Sequence, residues 1–372
     1  MAIKASATNM VLPDGGIEPV PHGGDLGAAR RAFPGAVEPF IDLSTGINPN
    51  PYSVSRFSHR LLARLPEADA AAALAQVAAR AYGAPSAAWV VAAPGTQILL
   101  PLVAALAPPG EAAVLDPGYG EHARAAALVG HRVRAVDGID ECGEASLVII
   151  GNPNNPDGRL FATDTLLALA EKLRRRGGLL VADEAFMDVG PPGITLSSAA
   201  ARNVIVLRSF GKFFGLAGLR LGFAIAPPAL ADRLSATLGP WAVSAPALAV
   251  GAEALADIAW IDRTRRRLAK AAGRLDAMLS AAGLDIVGGT SLFRLAQTSA
   301  AAALFDHLGR AGILVRRFPE HPAWLRFGLP GNAQAWRRLG AALASLRDQK
   351  LDAPRRRQAK SATRDTPAAR RG

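Results

Sequence analysis

SFGKFFGLAGLRLGF, residues Ser209 to Phe223, follows the apolar run NVIVLRS and encloses Lys212 with phenylalanines and glycines. An ammonium held among apolar groups is penalised relative to the neutral amine, so its pKa falls, which is the property a Schiff-base lysine requires. Read locally, the same lysine also fits a surface loop. The other five lysines are simpler. Lys172 and Lys270 lie in amphipathic helical stretches and Lys4, Lys350 and Lys360 are terminal, so all five read as solvated charges. Lys212 is therefore the candidate to hold a cofactor.

Outward from this stretch, short apolar runs alternate with helical ones. The pattern predicts strands at 88–93, 112–116, 132–136, 146–151, 178–183, 203–208 and 219–225, with helices at 67–82, 96–106, 120–129 and 163–176. Nearly continuous apolar strands such as SLVIIG and GGLLVADE, separated by helices, predict an α/β fold: a mainly parallel seven-stranded sheet covered on both faces. Ligands of such sheets bind beyond the carboxyl ends of the strands. After Pro240 a long helical stretch at 245–281 is expected, then strands near 284–296, 313–317 and 324–328 around a helix at 301–311, and a last helix at 333–346. This reads as a smaller α+β domain. The expected division is an N-terminal arm (1–65) extended to about residue 60, a large domain (66–239), a small domain (240–349) completed by the arm, and a disordered basic tail (350–372).

Composition excludes several classes. The 372 residues are 50% hydrophobic and 20% charged, a core-forming balance unlike that of a disordered or fibrous chain. Cys142 is the single cysteine, which rules out an internal disulfide. The N-terminus has no continuous apolar core, and no stretch runs the roughly 18 apolar residues of a membrane span. A cytoplasmic setting is expected, without a membrane partner. The net charge of +11 suggests a polyanion, yet eight cations and two anions after residue 349 place +6 of it in the tail. The remaining body has an ordinary charge, and nucleic acid is not an expected partner.

Several motifs point to the carboxyl edge of the sheet. PGTQ (94–97) opens a helix after a strand, so its backbone N–H groups could hold a phosphate against the helix dipole. Asp183, in LLVADE, ends the strand expected at 178–183, where its carboxylate could meet a protonated pyridine nitrogen, cap a helix or form a loop ion pair. GNPNNPDG (151–158) is a turn that can aim an amide. Neither a GxGxxG fingerprint nor a P-loop is present. His59, His122, His131, His307 and His321 have no metal-ligand spacing, so no metal is expected and these read as core or surface residues. Cys142 sits in a Glu- and Gly-rich loop without a catalytic partner motif.

In this order on one parallel sheet, these pieces resemble the fold-type I pyridoxal-phosphate enzymes of the class I/II aminotransferase superfamily, over roughly residues 20–346. Ser209 lies three residues before Lys212 and Arg220 eight after, the spacing of that family. The resemblance implies that Lys212 binds pyridoxal 5'-phosphate covalently, that Ser209, Arg220, Gly95, Thr96 and Gln97 hold its phosphate, and that Tyr119 in DPGYGEH stacks on its ring. It further implies that Asn155 bonds the phenolic oxygen, that Asp183 pairs with the pyridinium, and that Arg326 in AWLRFGLPG clamps the substrate carboxylate.

HGGD (His22–Asp25), DLSTGINPNP (Asp42–Pro51) and ILVRRF (Ile313–Phe318) resemble the histidinol-phosphate aminotransferase branch and, within it, the threonine-phosphate decarboxylases of cobalamin synthesis. That likeness implies a phosphorylated amino-acid substrate held by His22, Gly23, Asn48, Arg316, Asn155 and Arg326, with decarboxylation as the expected reaction and transamination as its alternative. Arg317, facing the other way on its strand, reads as an exposed charge. Two departures are visible: Phe186 stands where the family commonly has a tyrosine that bonds the phenolic oxygen, and Leu65 where a tyrosine reaches the partner subunit. A homodimer is implied by the resemblance. PLP-sensing transcription regulators share the fold, but they carry a DNA-binding domain in front, for which no room is expected before His22.

Overall fold

The computed structural model describes residues 20, 22–54, 57–142, 144–199 and 201–351. Its strands are β1 (Ile41–Asp42), β2 (Val90–Ala93), β3 (Glu111–Leu115), β4 (Arg132–Val136), β5 (Leu147–Gly151), β6 (Leu179–Asp183), β7 (Val204–Ser209), β8 (Gly222–Ile225), β9 (Asp285–Thr290), β10 (Phe293–Gln297), β11 (Ile313–Leu314), β12 (Arg316–Arg317) and β13 (Trp324–Gly328). Seven form one sheet in the order β2-β8-β7-β6-β5-β3-β4. Within it β8 runs antiparallel to both neighbours, and the remaining pairs are parallel. The expected mainly parallel α/β sheet is observed.

The apolar runs alternate between two cores. Leu147, Ile149, Leu179, Val181, Ile205 and Leu207 face one side with Leu99, Leu100 and Val103 of the helix Thr96–Ala104. Val148, Ile150, Leu180, Ala182, Val204 and Val206 face the other with Leu166, Leu169 and Leu173 of the helix Thr163–Arg174. A strand buried on both faces needs apolar residues at every position, which is why these runs are continuous rather than alternating. β9, β10, β13 and β12 form a separate four-stranded antiparallel sheet, and β1 pairs in parallel with β11.

Several expectations need correction. The helical stretch at 245–281 is two helices, Ala245–Ala256 and Ile258–Ala281, divided at Asp257. The Asp257 carboxylate accepts from Trp260 N at 2.9 Å, and this N-cap restarts the helix. The strand near 284–296 is the hairpin β9–β10. The stretch 313–317 divides at Val315 between two sheets. The arm is not simply extended: Asp25 accepts from Ala28 N at 2.8 Å and caps a helix at Leu26–Ala32, and Ser58 caps another at His59–Ala63. Both are too short to show periodicity. The last helix runs to Leu351, past the expected end, so Lys350 belongs to it; the rest of the expected tail lies outside the described residues.

Beneath the carboxyl edge sits a buried ion network. Arg208 donates to Glu184 Oε2 at 3.0 Å and Asp188 Oδ1 at 2.8 Å, and its guanidinium lies 4.4 Å from the Tyr82 ring centroid. Burial pushes the Glu184 carboxyl up, and the Arg208 charge opposes that shift. Thr195 and the backbone N–H of Leu196 also bond Glu184, at 2.6 and 2.7 Å. Removing one member of such a network leaves a buried charge uncompensated, so Arg208→Ala is expected to cost about 3–5 kcal/mol of stability. Urea unfolding monitored by circular dichroism checks this; an unchanged midpoint would show that the carboxylates neutralise without loss.

Candidate active site

The site is assembled where three strands end together. Ala93 of β2 and Ser209 of β7 both pair with Gly222 of β8, which lies between them. The chain after β2 turns at Gly95, with φ 92°, directly into the helix Thr96–Ala104, and no side chain caps that helix. Its first N–H groups and the positive end of its dipole are therefore left for a ligand. Arg220, itself at φ 55°, closes the turn: a Cβ on Gly95 would lie 2.7 Å from Arg220 Nη2. A Cβ on Gly222 would lie 2.6 Å from Thr96 N, so β8 backs against the turn with no room for a side chain. Gly95, Thr96, Gln97, Ser209 and Arg220 line one end of a cavity of about 540 Å³.

Lys212 lines the same cavity from the helical turn Phe210–Phe213 after β7. Buried Phe210, Phe213 and Phe214 hold that turn, with Phe210 stacked on Phe214 and Phe214 on Trp260 of the helix Ile258–Ala281. The Lys212 Nζ lies 6.0 Å from the centroid of Phe186. Burial brings its pKa down to about 8; Arg326 and Arg220 act in the same direction and Asp183 opposes them. Asn48, expected to contact substrate, is placed elsewhere. Its amide donates to Phe213 O at 2.9 Å and accepts from Asn50 N at 3.0 Å, and its own N–H donates to Lys212 O. It does not line the cavity; both ends of its amide are used in bracing the lysine turn.

Asp183, at the end of β6, receives an N–H from Ala185 at 3.1 Å, and its Oδ2 lies 2.8 Å from Nε2 of buried His122. Tyr119, three residues before His122, lies in the wall, its ring edge-on to the histidine at 5.4 Å. Its hydroxyl donates to Gln97 Oε1 at 3.0 Å, and burial first, then the nearby Glu121 and Asp183 charges, push its pKa up. Arg326 donates to the Asn155 side-chain oxygen and, at 2.8 Å, to Ser44 O. Burial and the neighbouring Arg316 lower its pKa to about 10, so it remains charged at neutral pH. Arg316 lies opposite Arg326 in the β12–β13 register and lines the cavity; Arg317 is exposed, 4.2 Å from the Phe305 ring centroid.

His22 and Gly23 complete the lining from the arm, so one cavity gathers every residue expected to meet cofactor or substrate except Asn48. Phe186 lines it as well, packed against Phe293 with centroids 5.0 Å apart, whereas Leu65 is exposed and outside it. His122 was not expected in the site. The legible signal is its place three residues after Tyr119, in the first turn of the helix Gly120–Leu128 that Tyr119 precedes.

A family model for aminotransferases of class I and II matches residues 55–343. The threonine-phosphate decarboxylase of Pseudomonas aeruginosa is 41% identical over 336 residues, which cover 88% of this chain and 98% of the relative. The enzyme of the same name from a Sinorhizobium species is 42% identical over 331 residues, again 88% of this chain and 98% of the relative. Among solved structures, the histidinol-phosphate aminotransferase from Sinorhizobium meliloti in complex with pyridoxal-5'-phosphate shares the fold, with a TM-score of 0.74 at 22% identity over 88% of this chain and 96% of that one. From a family match over most of its length and relatives that align almost end to end, the chain belongs to the class I and II aminotransferase family.

Proposed function

We propose that the protein is a pyridoxal-phosphate-dependent decarboxylase that converts O-phospho-L-threonine to CO2 and (R)-1-aminopropan-2-yl phosphate, a step in cobalamin synthesis. The observation that carries this reading is the pair Arg316 and Arg326, register partners on β12 and β13 that both line the cavity with Lys212 and Asp183. A substrate bearing a carboxylate and a phosphate needs two cationic partners, and planar guanidinium groups suit both anions. The names of the two near-full-length relatives agree with it.

The residues present fit the cofactor. The uncapped helix start at Gly95, Thr96 and Gln97, with Ser209 and Arg220 beside it, would take the phosphate, and a Cβ at Gly95 would close that cradle. Tyr119 and Asn155 would border the ring, and the Lys212 amine would take the aldehyde. When bound, pyridoxal phosphate supplies an electron sink for the bond broken at the substrate Cα. Asp183, oriented by His122, would hold a proton on the ring nitrogen. Arg326 would fix the carboxylate, and Arg316 and His22 the phosphate. With its pKa brought down to about 8, Lys212 has both protonation forms near neutral pH and would return a proton to Cα after CO2 leaves. Phe186 offers no hydroxyl here, so this wall remains apolar.

In the same reading the protein is a cytoplasmic homodimer. Among the described residues, no helix is long and apolar enough to cross a membrane, and no group of three or more His, Cys, Asp or Glu could hold a metal ion.

With O-phospho-L-threonine, the holoenzyme is expected to release CO2 and aminopropanol phosphate, and with histidinol phosphate and 2-oxoglutarate to form no glutamate. Glutamate without CO2 would replace this reading with an aminotransferase. Lys212→Ala should abolish CO2 release, and Arg316→Gln should lower kcat/KM by roughly 10- to 100-fold, the loss of a hydrogen bond to a charged group. Labelling of Lys212 in the cofactor-free protein by an amine-reactive reagent should rise with pH through a midpoint near 8, because the neutral amine reacts. Arg326→Gln removes a like charge and should move that midpoint up; Asp183→Asn removes an opposite charge and should move it down. Midpoints that ignore both substitutions would show that burial alone sets the lysine.

A further inference from the structure

Glu121 is a buried carboxylate for which the proposed reaction has no use. It follows Gly120 at the start of the helix Gly120–Leu128, and its side chain is only 6% exposed. One oxygen, Oε1, lies 2.9 Å from His22 Nε2. The other accepts from Gln97 Nε2 at 2.6 Å and from Arg124 Nη1 at 3.4 Å. Gln97 is part of the uncapped helix start, so the carboxylate is anchored to the cradle on one side and holds the arm on the other. Burying a carboxylate is costly unless it is hydrogen-bonded, and here the bonding partners come from three separate segments.

The arm meets the body at three successive points. Val20 lies over Gly120, where a Cβ would come within 2.9 Å of Val20 Cγ1. His22 meets Glu121. Gly24 N donates to Ser44 Oγ at 2.7 Å, and a Cβ on Gly23 would lie 2.5 Å from Ser44 O, the same carbonyl that accepts from Arg326. Val20, His22, Gly23 and Gly24 all line the cavity, and their contacts run from its Tyr119 side to its Arg326 side.

We propose that Glu121 is a positioning residue: by holding His22, it fixes the N-terminal arm across the cavity with the imidazole aimed at the substrate phosphate. Glu121 does not touch substrate, and it acts through His22. The inference rests on the reading that His22 meets a phosphorylated substrate, and it adds the group that presents His22. An arm tethered before binding loses less conformational freedom when substrate arrives, so the effect falls on substrate capture rather than on the bond broken.

The experiment compares wild-type holoenzyme, Glu121→Gln, His22→Ala and the double variant with O-phospho-L-threonine. Glu121→Gln keeps the side-chain volume but leaves one acceptor oxygen where two served. It should raise KM about tenfold with kcat nearly unchanged, the scale of one lost hydrogen bond to a charged group. His22→Ala should do the same, and the double variant should be no worse than His22→Ala alone, because the second change removes a contact already lost. Multiplying effects, or a normal KM in Glu121→Gln, would overturn the inference. Hydrogen exchange of residues 20–25 without substrate is an independent readout: Glu121→Gln should speed exchange at Gly24 N–H and leave β5 and β6 unchanged. Unaltered exchange at Gly24 overturns the inference even if the wild-type protein releases no CO2, whereas that failure with faster exchange would overturn only the proposed reaction.

Discussion

The site depends on one reversal of strand direction. β8 is inserted antiparallel between β2 and β7, and Gly222 at its start pairs with the last residues of both. The turn at Gly95, remote in sequence, therefore meets the strand end at Ser209 and the loop that carries Arg220 within a few ångströms. The close approach is possible because Gly95 and Gly222 have no Cβ. Had β8 run parallel to its neighbours, its start would lie at the amino edge of the sheet, and Arg220 with it.

A second constraint is the alternation of side chains along β6 and β7. Asp183 continues the series Leu179 and Val181, while Glu184 continues Leu180 and Ala182; Ser209 and Arg208 divide in the same way after Val204–Leu207. Adjacent residues of each strand end thus serve opposite purposes. Asp183 and Ser209 line the cavity, while Glu184 and Arg208 join Asp188 in a buried ion network that keeps the two strand ends in register. The acid that serves the cavity and the acid that serves the framework are neighbours, and only the pleat separates their environments.

The central sheet was legible because burial on both faces demands uninterrupted apolar runs, and these are visible in a single sequence. Asp183 was legible at a strand end and Lys212 by its apolar surroundings, whereas Ser209 and Arg220 were marked only by the likeness of their spacing around Lys212 to that of the family. Less visible were features made by one hydrogen bond, such as the helix break at Asp257 and the cap at Asp25, which leave little mark on periodicity. Asn48 shows the limit of carrying a motif across by likeness: its residue type matched, yet both ends of its amide are bonded to backbone beside the lysine turn. His122 and Glu121 were missed for the opposite reason. Their partners, Asp183, His22 and Gln97, are distant in the chain, and nothing local marks the pairing.

By itself the sequence determined the fold class, the strand ends at which chemistry could occur, and the one lysine enclosed by apolar residues, because each follows from local composition and period. Tertiary structure alone decided which polar groups share a cavity, which carboxylate faces it, and how the N-terminal arm is tied across it. Those are questions of distance between remote segments: an ion pair or hydrogen bond forms only within a few ångströms, and the chain order does not record which segments folding brings that close.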